Sequence, residues 1–282
     1  MKHPPWLKVK AADPEKIKEM EAVLRQGSLH TICESAICPN LGECFSRKTA
    51  TFLIMGNVCT RNCRFCAVNS GIPGPLDETE PRQLAQTVEA LGLDYVVLTS
   101  VTRDDLPDGG ASHFARCLQE VRSQVPGINM EVLVPDFQGS VAAISTVLAA
   151  APHVFNHNLE TVERLYEYVR PGASYDRSLE VLERAKKVRP QTLTKTGLML
   201  GLGETREEVL EVMRNLRAIR CDILTLGQYL APSANHAPIA RFVEPREFAE
   251  YKNLGMEMGF QYVASGPLVR SSYQARKALL GD

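Results

Sequence analysis

From residue 50 onward the chain alternates short β-branched apolar runs with longer segments whose apolar residues recur at helical spacing. The runs TFLIMG (51–56), YVVLTS (95–100), INMEVLVP (128–135), HVFNHN (153–158), LTKTGLML (193–200) and ILTLGQYL (223–230) read as strands. Helical segments are expected near 81–91, 111–124, 139–150, 160–168, 176–188 and 205–219. Leu84, Val88 and Leu91 mark the apolar face of the first, and Phe114, Leu118, Val121 and Val125 that of the second. Thr205 followed by Glu207 and Glu208 predicts a capped start for the last.

Six successive βα units predict a parallel sheet with right-handed crossovers. A doubly wound sheet and an incompletely closed barrel of six units both fit the alternation. No G-x-G-x-x-G follows the first strand, and GLGET (201–205) after the fifth lacks the full pattern. In either arrangement ligands are expected at the C-terminal ends of the strands. Residues 1–49 precede the repeat and 238–282 follow it, and no low-complexity tract or long linker marks either as independent. One domain is expected: a repeat over 50–237 with N- and C-terminal extensions.

Composition narrows the class. The chain has 282 residues, 44% apolar and 23% charged, with formal net charge −1, as suits a soluble globular protein with a full-sized core. Near-zero charge gives no reason to expect nucleic acid or an anionic membrane as partner. The start, MKHPPWLKVKAADPEK, lacks the apolar region of a secretory signal, and no apolar run approaches the ~18 residues that span a bilayer. A cytoplasmic location is expected. In such a chain eight cysteines point to metal binding or catalysis rather than disulfides. Cys117 shares a helical face with Phe114 and Val121, and Cys221 closely precedes a strand; both read as small core residues.

The other six cysteines fall into two triplets. Cys59, Cys63 and Cys66, in GNVCTRNCRFCAVN (56–69), would share a face if helical. However, Asn57, Thr60, Arg61, Asn62 and Arg64 are polar and Gly56 breaks the run, so a loop at the end of the first strand is expected. Cys33, Cys38 and Cys44 would point apart on a helix, and with Pro39 and Gly42 nearby only a coiled loop is expected to gather them. Neither triplet shows the paired C-x2-C spacing usual for zinc; both suit iron–sulfur clusters. Three thiolates on a four-iron cube leave one iron open to a small molecule.

C-x3-C-x2-C with Phe65 before the last cysteine resembles the signature of the radical S-adenosylmethionine enzymes. That resemblance implies a partial (β/α)6 barrel of the TIM type and an open iron that chelates the amino and carboxylate groups of S-adenosylmethionine. CESAICPNLGEC (33–44), TSVTRDDLPDGGA (99–111), FNHNLETV (155–162) and GPLVRSSY (266–273) together resemble the lipoyl synthase family along essentially the whole chain. The resemblance implies insertion of two sulfur atoms, at carbons 6 and 8, into an octanoyl chain on a carrier lysine. It implies two 4Fe–4S clusters, the second being the sulfur donor. That auxiliary cluster would be carried by the two extensions, on Cys33, Cys38, Cys44 and Ser272. Implied partners are octanoylated carrier domains (E2 subunits of 2-oxoacid dehydrogenases and the glycine cleavage H protein), reduced ferredoxin or flavodoxin, and an iron–sulfur cluster carrier protein.

Other site residues follow from their places at strand ends. Many radical enzymes use G-G-E after the second strand to receive the amino group; here Asp108, Gly109 and Gly110 are followed by Ala111, which puts a direct amino contact in doubt. Thr99 and Ser100 offer hydroxyls. Asn156, Asn158 and Glu160 are candidates for ribose or the substrate amide, with Asn158 equally readable as a helix N-cap. Arg270 is read either as positioning Ser272 or the donor cluster, or as a solvated surface arginine. Ser271 and Ser272 also read as turn residues, His157 as a core or hydrogen-bonding histidine, and Lys195 and Arg177 as anion contacts or solvated cations. The rival functions are a sulfur-inserting enzyme of the biotin-synthase kind, a ferredoxin-like electron carrier and a zinc-stabilised binding module.

Overall fold

A computed structural model describes residues 4–8, 14–26, 29–32, 38, 40–46, 51–273 and 275–280. Cys33 lies outside the described residues. The structure divides into two compact units, one drawn from residues 9–61 and 67–155 and the other from 1–8, 62–66 and 156–282.

In the first unit the strands β2 (Thr51–Ile54), β5 (Tyr95–Ser100) and β6 (Asn129–Leu133) pair in parallel, with Phe52 opposite Leu98 and Leu98 opposite Val132. A short β1 (His30–Thr31) joins β2 antiparallel, and β3 (Val58–Cys59) pairs with β4 (Asn69–Ser70) in a separate two-stranded ladder. The connecting helices are α3 (Glu80–Ala90), α4 (Ala111–Gln124) and α5 (Val141–Ala149), the last capped by Ser140. They follow α1 (Pro14–Gln26) and the short α2 (Leu41–Ser46). The apolar periodicity delivers what it predicts: Leu84, Val88, Phe114, Leu118 and Val121 are all buried, and Cys117 is buried with them.

In the second unit, entered within β7 (Val154–Asn156), the strands β8 (Leu193–Leu200), β9 (Ile223–Gln228) and β10 (Tyr262–Ser265) are again parallel. The segment expected as one helix over 160–168 is a 3-10 turn (Glu163–Leu165) leading into the single turn α6 (Tyr166–Val169). Then come α7 (Tyr175–Val188), α8 (Arg206–Ala218), α9 (Pro245–Glu257) and α10 (Ala275–Leu280). Thr205 and Glu208 form a reciprocal capping box at the start of α8, so the partner of the cap is Glu208 rather than Glu207. A core of Leu198, Leu200, Val209, Met213, Leu224, Leu226 and Phe248, with Cys221, packs strands against helices. Residues 238–282 add α9 and β10, one parallel strand more than the six expected.

The α/β alternation and the largely parallel pairing are those the sequence predicts. Among the described residues no helix is long and apolar enough to cross a membrane.

Candidate active site

β2 stops at Ile54, two residues before the apolar run ends, because Met55 and Gly56 both turn left-handed (φ 67° and 84°). The Met55 N–H, lost to the sheet, donates to both carboxylate oxygens of Glu80 at 3.2 and 2.9 Å. Glu80 Oε2 lies 2.6 Å from Nε2 of the buried His113. Gly110, the N-cap of α4, also adopts a left-handed φ of 87°, and a Cβ there would collide with the Met55 side chain. These contacts fix the point from which the cysteine loop departs.

The loop's first part is anchored in the first unit. Cys59 is half-buried, and its Sγ accepts backbone N–H groups from Thr102 at 3.3 Å and Arg61 at 3.5 Å. Thr60 donates through both its N–H and its hydroxyl to the Thr102 carbonyl, each at 3.0 Å. Arg61 binds Asp104 through Nε and Nη2 at 2.7 and 2.9 Å. The same guanidinium binds Asp136 through Nη1 and Nη2 at 2.9 and 2.7 Å. Burial works against the Arg61 charge, but hydrogen bonds and attraction from the two aspartates prevail and raise its pKa further. The cation is permanent.

The loop's second part is anchored in the second unit. Arg64 donates its N–H to the Val169 carbonyl at 2.9 Å and accepts from the Ala237 N–H at 2.7 Å. Its guanidinium stacks 4.5 Å from the Tyr168 ring centre, and Phe65 packs against the core cluster. The Cys66 N–H donates to the Cys63 carbonyl at 3.1 Å, and His236 Nε2 lies 3.1 Å from the Cys66 carbonyl oxygen.

Cys59, at the end of the short β3, and Cys63 and Cys66, outside any helix or strand, are half-buried and none is in a disulfide, and the helical-stripe reading fails. Cys59 belongs to the first unit, where its sulfur holds two N–H donors, and Cys63 and Cys66 belong to the second. Among the described residues no three His, Cys, Asp or Glu side chains are placed to hold a single metal ion.

Of the other triplet, Cys38 and Cys44 are half-buried and free of disulfides. The expected coiled loop is in part a helix: Cys44 lies on α2, its N–H donating to the Asn40 carbonyl at 2.9 Å, while the Cys38 carbonyl accepts from Leu41 at 3.2 Å. Asn40 itself is buried.

At the strand ends the first unit places Thr99 Oγ1 as donor to the Leu133 carbonyl, 2.9 Å away, and leaves the buried Ser100 Oγ without a hydrogen-bond partner among the described residues. Asp108 caps α4, accepting from Gly110 and Ser112 N–H at 2.9 and 2.8 Å. Partial burial works the other way, but these hydrogen bonds win and hold its carboxyl below the ordinary aspartate range. Gly109 is left-handed at φ 61°, with the Phe137 ring 3.0 Å from where its Cβ would be.

In the second unit Asn156, His157 and Asn158 are buried. Asn158 does not cap a helix: its Nδ2 donates to Ser271 Oγ at 2.6 Å and to Glu160 Oε1 at 3.0 Å. Glu160 is left-handed (φ 67°) and bridges to β8, donating to Gly197 and accepting from Met199. Desolvation raises its pKa against the opposing pull of Arg170 and Asn158. Arg170 is buried and binds the Asn158 and Leu159 carbonyls at 2.9 and 3.0 Å. Lys195 is buried, not solvated, and Arg177 is half-buried. Arg270 and Ser272 are half-buried in a turn closed by the Tyr273 N–H on the Arg270 carbonyl at 2.9 Å. Arg270 Nη1 bonds the Val269 carbonyl at 2.6 Å, so it is not simply a solvated arginine.

The chain is similar to known proteins in sequence and in fold. Residues 53–216 match the family model of the Radical SAM superfamily. A lipoyl synthase of Caldanaerobacter subterraneus subsp. tengcongensis is 58% identical over 98% of this chain and 96% of its own length. A lipoyl synthase of Rubrobacter xylanophilus is 56% identical over 97% of this chain and 85% of its own. Among solved structures, methylornithine synthase PylB superposes with a TM-score of 0.54 at 16% identity, covering 90% of this chain and 79% of that one. The FeFe-hydrogenase maturase HydG from Carboxydothermus hydrogenoformans gives 0.55 at 14% identity, covering 95% and 78%. At such identities the structures speak for the fold alone.

Proposed function

The chain belongs to the lipoyl synthase family within the Radical SAM superfamily, and from that premise we propose how its residues serve the reaction. It is a sulfurtransferase that inserts two sulfur atoms, at carbons 6 and 8, into an octanoyl chain on a carrier lysine, giving lipoyl-lysine. Its superfamily brings S-adenosylmethionine and a 4Fe–4S cluster, and its substrate is an octanoylated protein. When bound, these groups supply an electron and a 5′-deoxyadenosyl radical able to take hydrogen from an unactivated carbon.

Cys59, Cys63 and Cys66 would hold the radical cluster, with S-adenosylmethionine completing its coordination. Arg61, Thr60 and Thr102 keep Cys59 in place, while Arg64 and Phe65 seat the rest of the loop. Thr99, Ser100, Asn156, Asn158 and Glu160 receive the nucleoside or the substrate amide from the strand ends. The glycines of Asp108–Gly110 give the close approach at Met55 and Phe137. Asp108 holds α4 through its capping bonds, which leaves no acid in the place of the missing glutamate.

Cys33, Cys38, Cys44 and Ser272 would hold a second 4Fe–4S cluster, which would supply the sulfur. Cys38 and Cys44 support this as half-buried thiols outside any disulfide; Cys33 lies outside the described residues. A hydroxyl is a poorer match than a thiolate for a thiophilic iron, so Ser272 would be the weakest of the four holds, with Arg270 positioning it. The carriers served are E2 subunits of 2-oxoacid dehydrogenases and the glycine cleavage H protein. Reduced ferredoxin or flavodoxin supplies electrons, an iron–sulfur carrier protein restores the donor cluster, and the enzyme works in the cytoplasm.

The observation that carries the reading is identity of 58% to a lipoyl synthase over nearly the whole of both chains. To test it, reduced, reconstituted protein is given S-adenosylmethionine and an octanoyl-lysyl peptide under anaerobic conditions. Mass spectrometry should find a one-sulfur species, then lipoyl peptide, together with methionine and 5′-deoxyadenosine. Unchanged peptide despite a working electron supply would refute it.

A further inference from the structure

Segment 266–273, which carries Ser272, lies against two neighbouring strands where each has a glycine. A Cβ on Gly197 of β8 would stand 2.7 Å from Thr225 Oγ1, 2.9 Å from Ser271 Oγ and 3.0 Å from Asn158 Oδ1. A Cβ on Gly227 of β9 would collide with the Val269 carbonyl and lie 3.2 Å from Arg270 Nη1. Neither glycine is left-handed, so what they supply is room for another backbone to come close. The segment is pinned where it enters: Gly266 N–H donates to Leu226 at 3.0 Å, and Pro267 accepts from Gln228 N–H at 3.3 Å.

Ser271, not Ser272, makes the contact with the polar pair at the strand ends. Asn158 Nδ2 donates to Ser271 Oγ at 2.6 Å and to Glu160 Oε1 at 3.0 Å. Glu160 Oε1 and Ser271 Oγ both lie against Nδ2 and together fix the nitrogen side of the Asn158 amide. Its Oδ1 is thereby left as a buried acceptor without a hydrogen-bond donor among the described residues. A buried acceptor in that state is stabilised by any ligand that brings it a hydroxyl or N–H.

We propose that Ser271 is a positioning residue whose hydrogen bond to Asn158 couples docking of the Ser272 segment to binding of the nucleoside. The proposal rests on the reading of Asn158 as a nucleoside contact and Ser272 as a cluster ligand. With Ser271 docked, the amide is already turned to present Oδ1, and less orientational freedom is lost when the ligand arrives. With the nucleoside bound, the amide is held with its nitrogen toward Ser271, and the segment is harder to lift. The two effects are one coupling and must be equal in size.

The test uses holoenzyme with both clusters, kept anaerobic with reductant withheld so that S-adenosylmethionine binds without turning over. Affinity is read by equilibrium dialysis and docking by amide hydrogen exchange in residues 266–280. In the unaltered protein the ligand should slow exchange there several-fold. Ser271→Ala should weaken binding by about fivefold or more, as coupled sites commonly do, and abolish the protection, with thermal unfolding unchanged. Equal affinity in the two proteins, or exchange indifferent to the ligand in the unaltered one, overturns the coupling. Ser272→Ala separates the readings: it should lower donor-cluster iron yet keep the ligand-dependent protection. Full iron in that variant would remove the ligand assignment of Ser272 and leave the Ser271 result to be judged on its own. No binding to the unaltered holoenzyme would instead refute the functional reading.

Discussion

Arg61, inside the cysteine loop, grips Asp136 with two parallel hydrogen bonds of 2.9 and 2.7 Å, and the aspartate side chain has no exposed surface at all. The same guanidinium takes Asp104, which is 28% exposed. The fork satisfies a buried anion and at the same time fixes the backbone amide that points at Cys59.

Arg61→Met should cost about 3–5 kcal/mol, the usual penalty for leaving a buried carboxylate without its partner. Arg61→Lys keeps the charge but loses the planar fork, and should fall between. Denaturant unfolding of cluster-free protein measures the cost directly, and reconstituted iron per chain should fall in the same order. A Met variant as stable as the parent would show that the fork is dispensable.

Thiol chemistry should separate the cysteines into two classes. Burial pushes the Cys221 thiol up to about 12 and raises that of Cys117 as well, and both side chains are sealed in the core. Cys38, Cys44, Cys59, Cys63 and Cys66 are half-buried. Iodoacetamide at pH 8 on native, cluster-free protein should label those five and spare Cys117 and Cys221, as read by peptide mass spectrometry. Rapid labelling of Cys117 or Cys221 would contradict the packing described.

The strands and long helices were legible because each buries one face, and burial writes a period into the sequence: Phe114, Leu118 and Val121 sit where the spacing puts them. The loop was legible because Asn57, Thr60 and Arg61 are poor core residues around three thiols. What stayed hidden depends on contacts distant along the chain. Asp104 and Asp136 lie 43 and 75 positions from Arg61, and either one alone reads as a surface acid. The Glu80–Met55 contact spans 25 positions. Asn158 read equally as a cap because its true partner, Ser271, is 113 positions away. β10 is not marked by the sequence because only one of its four residues, Val263, is β-branched, and Ala264 and Ser265 are weak strand formers.

The capping box of α8 carries a pH dependence. Hydrogen bonds from Arg164, then from Thr205, hold the Glu208 carboxyl down to about 2. A depressed carboxyl stabilises the fold fully above the ~4.3 of an unperturbed glutamate and loses that contribution as pH falls toward about 2. Because the pair is largely exposed and open to salt screening, the effect is small. Glu208→Gln should lower the neutral plateau slightly, flatten the acid limb of a stability–pH curve across that window, and converge with the parent at its acid end. An unaltered acid limb would count against the pairing.

Ser272→Cys should give a more durable donor cluster and a poorer enzyme, since thiolate holds iron more firmly than an alkoxide does. Iron retained after one turnover should rise while lipoyl peptide per chain falls. Full lipoyl formation by this variant would discard the idea that Ser272 is a ligand made to leave.

The account stands on the iron that Cys59, Cys63 and Cys66 leave uncovered. Protein carrying only that cluster, with Cys38 and Cys44 replaced by alanine, should be labelled with iron-57 and examined by Mössbauer spectroscopy before and after S-adenosylmethionine is added. One iron in four should take on the signature of nitrogen and oxygen ligation when the ligand is present. A spectrum that does not move, with all four sites already equivalent, would contradict the account.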